Sequence, residues 1–217
     1  MRPKVCALAS TPRSGTHFLR FTLDNHPQMS WAGEFFRTDI KRNIRETRIQ
    51  SYVYNGLSST AIDQFKYVGF VWHLTFDTDL HYSAVDKFIV LERKHKLAQF
   101  TSIQIAVKTG IWRVPENKVN YKNTQKIQID LEQYFKFLDT YNSAYNEFKK
   151  TGVEYKTVYY EDLCNDFNRT TKSIQEFLEL DYFKIKRGDL QKQEHRPLKE
   201  IITNYEDIKK YDGFYKI

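Results

Sequence analysis

Residues 5–19 read VCALASTPRSGTHFL. A short apolar run ends in a loop of proline, arginine, small hydroxyl residues and glycine, and apolar residues then recur at Phe18, Leu19, Phe21 and Leu23. That order predicts a buried strand over Val5–Ala9, a tight loop, and a helix packing back on a sheet. A loop of this kind offers an anion several backbone N–H groups and the positive end of the helix dipole. Gly15 lets the backbone come close, Ser14 and Thr16 add hydroxyl donors, and Arg13 brings a fork-shaped cation suited to phosphate or sulfate oxygens. The competing reading is purely structural, with Ser-Gly-Thr as turn punctuation and capping.

Outward from this segment, YVGFVWHL from Tyr67, KFIVLER from Lys87 and VEYKTVYYEDL from Val153 read as further strands. HKLAQFTSIQIAVKTGIW from His95 has helical spacing at Leu97, Phe100 or Thr101, and Ile105. DLEQYFKFLDTYNSAYNEFKK from Asp130 predicts a long helix with Gly152 as its stop. DFNRTTKSIQEFLEL predicts a helix opened by Asp166 or Asn168, and EFFRTDIKRNIRETRIQSYV from Glu34 a charged amphipathic one. Strands alternating with helices imply an α/β fold, three-layer, with a mostly parallel central sheet flanked by helices. No repeat or Pro/Gly-rich linker interrupts the chain, so a single domain over residues 1–217 is expected.

A chain of 217 residues is long enough to build a core without staples. Its cysteines, Cys6 and Cys164, lie far apart without metal-type spacing, which argues for a reducing compartment. The first apolar run is too short for a signal peptide, and no run approaches a membrane span, so a cytoplasmic location is expected. The net charge of +7 is unevenly spread. Residues 1–50 carry nine Lys/Arg against four Asp/Glu, and residues 86–126 nine against three, which leaves the remainder net acidic. Two basic blocks suit a nucleic acid, an anionic membrane or a compact polyanionic ligand.

Neighbouring chemistries fail on spacing. A Walker loop needs a glycine five positions before a Gly-Lys pair, and neither that glycine nor the lysine accompanies Gly15. A nucleotide kinase would also want a Mg²⁺-holding acid at a strand end, a post open to Glu92. A thiol phosphatase would place an arginine six residues after Cys6, where Pro12 stands; Cys6 reads as core.

The stretch TPRSGTHFLRFTLDNHPQMSWAGEFF, from Thr11, resembles the 5′-phosphosulfate-binding segment of sulfotransferases that use 3′-phosphoadenosine 5′-phosphosulfate (PAPS). The likeness includes the Pro-Arg-Ser-Gly-Thr loop, the pair His26–Pro27 and the pair Gly33–Glu34, as in bacterial carbohydrate-type and protein-tyrosine members. FIVLERKHKLAQFTSIQIAVKTGIW resembles that family's 3′-phosphate-binding segment, in which a cation at a strand end precedes a serine by eight residues. Lys94 and Ser102 have that spacing; Arg93 stands one residue out of register, and the family usually has arginine, so either cation can take the contact. VYYEDLCNDFNRTTKSIQEFLEL resembles the family's Tyr-Glu-Asp-Leu passage and implies Tyr160 near the adenine. The C-terminal EIITNYEDIKKY is similar to bacterial members.

The resemblance implies a P-loop-NTPase-like sulfotransferase fold and transfer of a sulfuryl group from PAPS to an acceptor hydroxyl, releasing 3′,5′-ADP, with no metal. It implies Glu34 as the general base and Arg13 at the leaving oxygen, with Ser14, Gly15, Thr16 and His17 cradling the 5′-phosphosulfate. Arg93 or Lys94 with Ser102 would hold the 3′-phosphate. The two basic blocks coincide with the two segments expected to meet those anions.

Each assignment has a rival. Glu34 can be a helix-start carboxylate, since GEFF reads as a helix opening. His73 at a strand end is a reserve base or acceptor-binding group. His26 suits a turn, and Phe18 either stacks on adenine or packs in the core. Trp112 either shapes an acceptor pocket or is a buried aromatic at a helix end. A magnesium-dependent kinase and a non-enzymatic nucleic-acid binder stand as alternative functions. The acceptor expected is a small molecule or carbohydrate.

Overall fold

The computed structural model describes residues 3–34, 65–75, 85–112, 125–187 and 196–213. The helix expected over residues 34–53 falls, beyond Glu34, outside them. Among the described residues five strands form one sheet in the order β2-β3-β1-β4-β5: β1 (Lys4–Ser10), β2 (Met29–Glu34), β3 (Tyr67–His73), β4 (Lys87–Glu92) and β5 (Tyr155–Tyr159). Every neighbouring pair is parallel. The α/β, parallel, helix-flanked sheet expected from the sequence is the one observed.

Strands β1 and β3 are buried on both faces, which is why they read as continuous apolar runs. Cys6 and Leu8 face one way, with Leu19 and Leu23 of α1 (Thr16–Asp24) and Ile174 of the second helix after β5. Val5, Ala7 and Ala9 face the other, with Tyr145 and Phe148. Those two belong to α3 (Leu131–Lys149), whose N-terminus Asp130 caps by accepting from the Glu132 and Gln133 N–H groups. A third cluster joins α3 to α2 (Lys96–Thr109) through Leu97, Phe100 and Ile105. Beyond β5 come α4 (Tyr160–Asn165) and α5 (Phe167–Phe177), then α6 (Leu198–Ile201) and α7 (Tyr205–Ile208). Asp166, not Asn168, caps α5, accepting from the Arg169 N–H. Among the described residues no helix is long and apolar enough to cross a membrane.

One strand was not foreseen. Met29–Glu34 forms β2, so Gly33–Glu34 belongs to a strand; the residues after it lie outside the described ones. Among the described residues it pairs with β3 alone, with an irregularity between Trp31 and Glu34. Trp31 stands in register with Gly69, and a side-chain carbon there would lie 2.6 Å from the indole. Only glycine leaves room for that ring.

The topology locates a crevice. From β1 the chain crosses toward the β2–β3 side, whereas from β4 it continues toward β5. Adjacent strands whose connections leave in opposite directions open a cleft beyond their carboxyl ends. Residues 11–15 follow β1 and residues 93–95 follow β4 at that end.

Candidate active site

The loop after β1 turns sharply because Arg13 and Gly15 both take positive φ, 63° and 94°. At Gly15 a Cβ would lie 2.4 Å from Cδ2 of Tyr160, so backbone conformation and packing both require glycine. Gly15 is also the N-cap of α1, which no side chain caps. The helix N-terminus is thus held directly under the Tyr160 ring.

Arg13 reaches across the cleft to α2. Its Nε donates to Ser102 Oγ at 2.9 Å and its Nη1 to the Trp112 carbonyl. Arg93 approaches from the end of β4: its Nη1 donates to the Arg13 carbonyl at 3.2 Å and its guanidinium lies 5.0 Å from the Tyr160 ring centroid. Burial pushes the Arg13 guanidinium down to about 10, and the like charge of Arg93 adds to the effect. Burial lowers Arg93 as well, opposed by Tyr160 and Glu161. Two guanidinium groups confined this way favour an anion between them.

Glu161 holds the loop after β4 in place. Its carboxylate accepts from the Lys94 N–H at 2.9 Å and the His95 N–H at 3.1 Å, and lies 3.9 Å from Arg93 Nε. Lys94 turns the other way, with Nζ 2.5 Å from Asp162 and 4.6 Å from the Tyr159 ring centroid. Of the two candidate cations, Arg93 is therefore the one beside Arg13 and Tyr160. Tyr160 itself is sandwiched between Gly15 and Arg93, and burial raises its phenol to about 12.

The hydroxyl groups expected to face a ligand turn inward instead. Ser14 Oγ lies 3.1 Å from Thr11 Oγ1, and Thr16 Oγ1 lies 2.8 Å from Ser10 Oγ, all four residues being buried. His17, partly buried, stacks on Phe21. Phe18 packs against Phe167 in the core. Cys6 is fully buried and its thiol pushed up by desolvation, as a core residue should be. His26 is a turn residue: its Nδ1 accepts from the Gln28 N–H at 3.1 Å.

Glu34 closes β2 in register with Val71, and His73 closes β3 in register with Ser10, so both stand at the carboxyl edge where the loop leaves β1. The Glu34 side chain lies outside what the structure describes. Trp112 is half-exposed, which removes its reading as a buried aromatic. Glu92, the acid a kinase would need, is buried with Oε1 3.1 Å from Lys149 Nζ on α3. The sequence reading did not single out Glu161, Gln99 or Tyr145 as parts of this site; the three-residue spacing of Gln99 and Ser102, which puts both on one helix face, is the signal that could have found Gln99.

The Stf0 sulphotransferase family model matches residues 75–207. No curated protein sequence matches the chain. Among solved structures, the fold is similar to mouse sulfotransferase SULT7A1 complexed with PAP, at 16% identity and a TM-score of 0.51, covering 85% of this chain and 61% of that one. It is likewise similar to a sulfotransferase from Alicyclobacillus acidocaldarius, at 12% identity and a TM-score of 0.53, covering 88% and 87%. The chain thus spans less than two thirds of the mouse protein and most of the bacterial one. With the larger part of its sequence matched by that model, the chain belongs to the Stf0 sulphotransferase family.

Proposed function

We propose that the protein transfers a sulfuryl group from PAPS to the hydroxyl of a small-molecule or carbohydrate acceptor, releasing 3′,5′-ADP, in the cytoplasm. The observation that carries this is the convergence of Arg13, Arg93 and Ser102 on one cleft, from the ends of β1 and β4 and the face of α2. A donor that carries several anionic groups matches a cleft on which two guanidinium groups and a hydroxyl converge. PAP in the mouse relative supports the same ligand class.

When bound, PAPS supplies the group to be transferred. Backbone N–H groups of Ser14, Gly15, Thr16 and His17, at the start of α1, would face its 5′-phosphosulfate. Arg93 and Ser102 would hold the 3′-phosphate, and Tyr160 would border the adenine. Arg13 would stabilise the charge that gathers on the phosphate oxygen as the S–O bond breaks. Glu34 would take the acceptor proton as the acceptor oxygen bonds to sulfur. Its position at the carboxyl end of β2 supports that role, and His73, one strand over, is the reserve base. The pairing of Glu92 with Lys149 on the α3 side of β4 weighs against a kinase.

Isothermal titration with 3′,5′-ADP tests the donor assignment. Binding that Arg13→Ala and Ser102→Ala weaken supports it, whereas no binding, or binding indifferent to both changes, overturns it.

A further inference from the structure

Gln99 lies on α2 three residues before Ser102 and is fully buried. Its Nε2 is 3.1 Å from Thr11 Oγ1, 2.8 Å from the Pro12 carbonyl oxygen and 3.0 Å from Ser14 Oγ. A carbonyl only accepts, so the contact with Pro12 fixes the amide with its nitrogen toward the loop. A single side chain on the helix that carries Ser102 therefore reaches Thr11, Pro12 and Ser14, one amide hydrogen going to the Pro12 carbonyl and the other shared by the Thr11 and Ser14 hydroxyl oxygens.

The directions of the remaining bonds follow from counting hydrogens. The Tyr145 hydroxyl donates its one hydrogen to the Leu91 carbonyl at 2.7 Å and accepts from the Thr11 N–H at 3.2 Å. In its 3.1 Å contact with Thr11 Oγ1 the threonine must then donate. Thr11 has no second hydroxyl hydrogen, so in the 3.1 Å contact with Ser14 the serine donates. The chain runs one way, from Ser14 through Thr11 and Tyr145 to the backbone of β4, with Gln99 feeding it from the side. Thr11 Oγ1 donates to Tyr145 and accepts from Ser14, and it shares the second Gln99 hydrogen with Ser14 Oγ. These buried hydrogen bonds hold the loop in one arrangement, although Gln99 Oε1 itself has no partner among the described residues, and removing the amide leaves the Pro12 carbonyl and the Ser14 oxygen without a donor.

We propose that Gln99 is a positioning residue, its amide fixing the Thr11–Ser14 turn relative to Ser102 so that both phosphates of one nucleotide are met together. The Ser14 hydroxyl serves that lock and not the ligand. The proposal rests on the PAPS reading given above. It assigns Gln99 no contact with the reacting atoms.

The test is isothermal titration of the full chain and its Gln99→Leu variant with adenosine 5′-phosphosulfate, 3′-AMP and 3′,5′-ADP. Loss of the amide should weaken the two ligands that carry a 5′ group about 10- to 30-fold, while 3′-AMP changes less than about threefold. Combining Gln99→Leu with Ser14→Ala should weaken 5′ binding no further than the worse single change, since both act through one network. Unchanged 5′ affinity in Gln99→Leu, or an equal loss for 3′-AMP, overturns the positioning role. Multiplying losses in the double variant overturn the inward role of Ser14. A wild type that binds none of the three overturns the donor reading itself, which separates the two failures. Should Gln99→Leu not fold, Gln99→Glu decides: a buried carboxyl donates only when protonated, so its affinity for adenosine 5′-phosphosulfate relative to wild type should rise several-fold from about pH 8 to about pH 6. A flat ratio overturns the proposal.

Discussion

Arg13 Nε donates to Ser102 Oγ at 2.9 Å, joining residues 89 positions apart and tying the loop after β1 to the helix after β4. Its Nη1 is engaged at the same time by the Trp112 carbonyl. Simultaneous use of separate guanidinium nitrogens is something an ammonium cannot reproduce. Arg13→Lys should therefore behave like Arg13→Ala, each weakening 3′,5′-ADP by about tenfold or more. A titration in which lysine restores wild-type affinity would show that charge alone matters there.

Glu34→Gln tests the proposed base apart from the donor site. The amide keeps the size and removes the proton acceptor. Turnover with an accepted substrate should fall by about 10²- to 10⁴-fold, with 3′,5′-ADP affinity unchanged. If turnover survives and His73→Gln removes it, the base is at the end of β3 and not at the end of β2.

Gly15→Ala meets two obstacles, a φ of 94° and a Tyr160 carbon 2.4 Å from the new methyl. The left-handed backbone alone costs about 1–2 kcal/mol for a residue with a Cβ, and the overlap adds to it. Urea denaturation should show a loss larger than that backbone cost. Adding Tyr160→Ala should recover the part due to overlap and leave the part due to φ. Full recovery would mean that the backbone relaxes freely.

How much of this was legible in the sequence depended on the range of the interaction. Strands β1, β3 and β4 were readable because a parallel sheet covered on both faces selects unbroken apolar runs. The start of α3 was readable because Asp130 acts on N–H groups two and three residues away. Strand β2 was hidden: it has a neighbour on one side only among the described residues, and MSWAGE mixes small, polar and aromatic residues in no period. Its glycine and glutamate suggested a helix start, whereas both residues lie in the strand that pairs with β3. Arg13 was legible in the loop itself, whereas Arg93, Ser102 and Tyr160 were legible only through the resemblance to sulfotransferase segments. Gln99 and Tyr145 were not, since the one reaches Thr11 across 88 positions and the other across 134. The hydroxyls of Ser14 and Thr16 were assigned outward because composition carries no information on which way a loop side chain turns.

Removal of the Lys149 ammonium should expose what Glu92 costs the fold. Glu92 is 1% exposed and Lys149 is its ion-pair partner at 3.1 Å, with Lys96 contributing a further nearby positive charge. Lys149→Met strands a buried carboxylate and should destabilise by about 2–3 kcal/mol, less than the usual cost of breaking a fully buried pair because Lys149 is one third exposed. Lys149→Met with Glu92→Gln should recover most of it in urea titrations. Additive losses would mean that the pair contributes little.

Acid should weaken the fold through two histidines that act as acceptors. The His95 ring accepts the Ala98 N–H at Nδ1, 3.3 Å away, and caps α2, with Nε2 3.0 Å from Asp212. The His26 ring accepts the Gln28 N–H at Nδ1, and its Nε2 lies 3.1 Å from the Asp181 carbonyl. Protonating either Nδ1 replaces an acceptor with a second N–H facing a donor. Burial lowers both rings below the ordinary value of 6.5; for His95 the opposing pull of Asp212 is partly cancelled by Arg93, and for His26 it comes mainly from the Asp181 backbone. Between the folded and unfolded values the unfolded chain binds more protons, so stability is fully present above about pH 6.5 and declines as pH falls below it. Urea midpoints measured from about pH 7.5 down to about pH 5 should therefore drop, and His95→Asn with His26→Asn should flatten that drop. A midpoint that holds steady across the interval would show that neither ring is kept neutral by the fold.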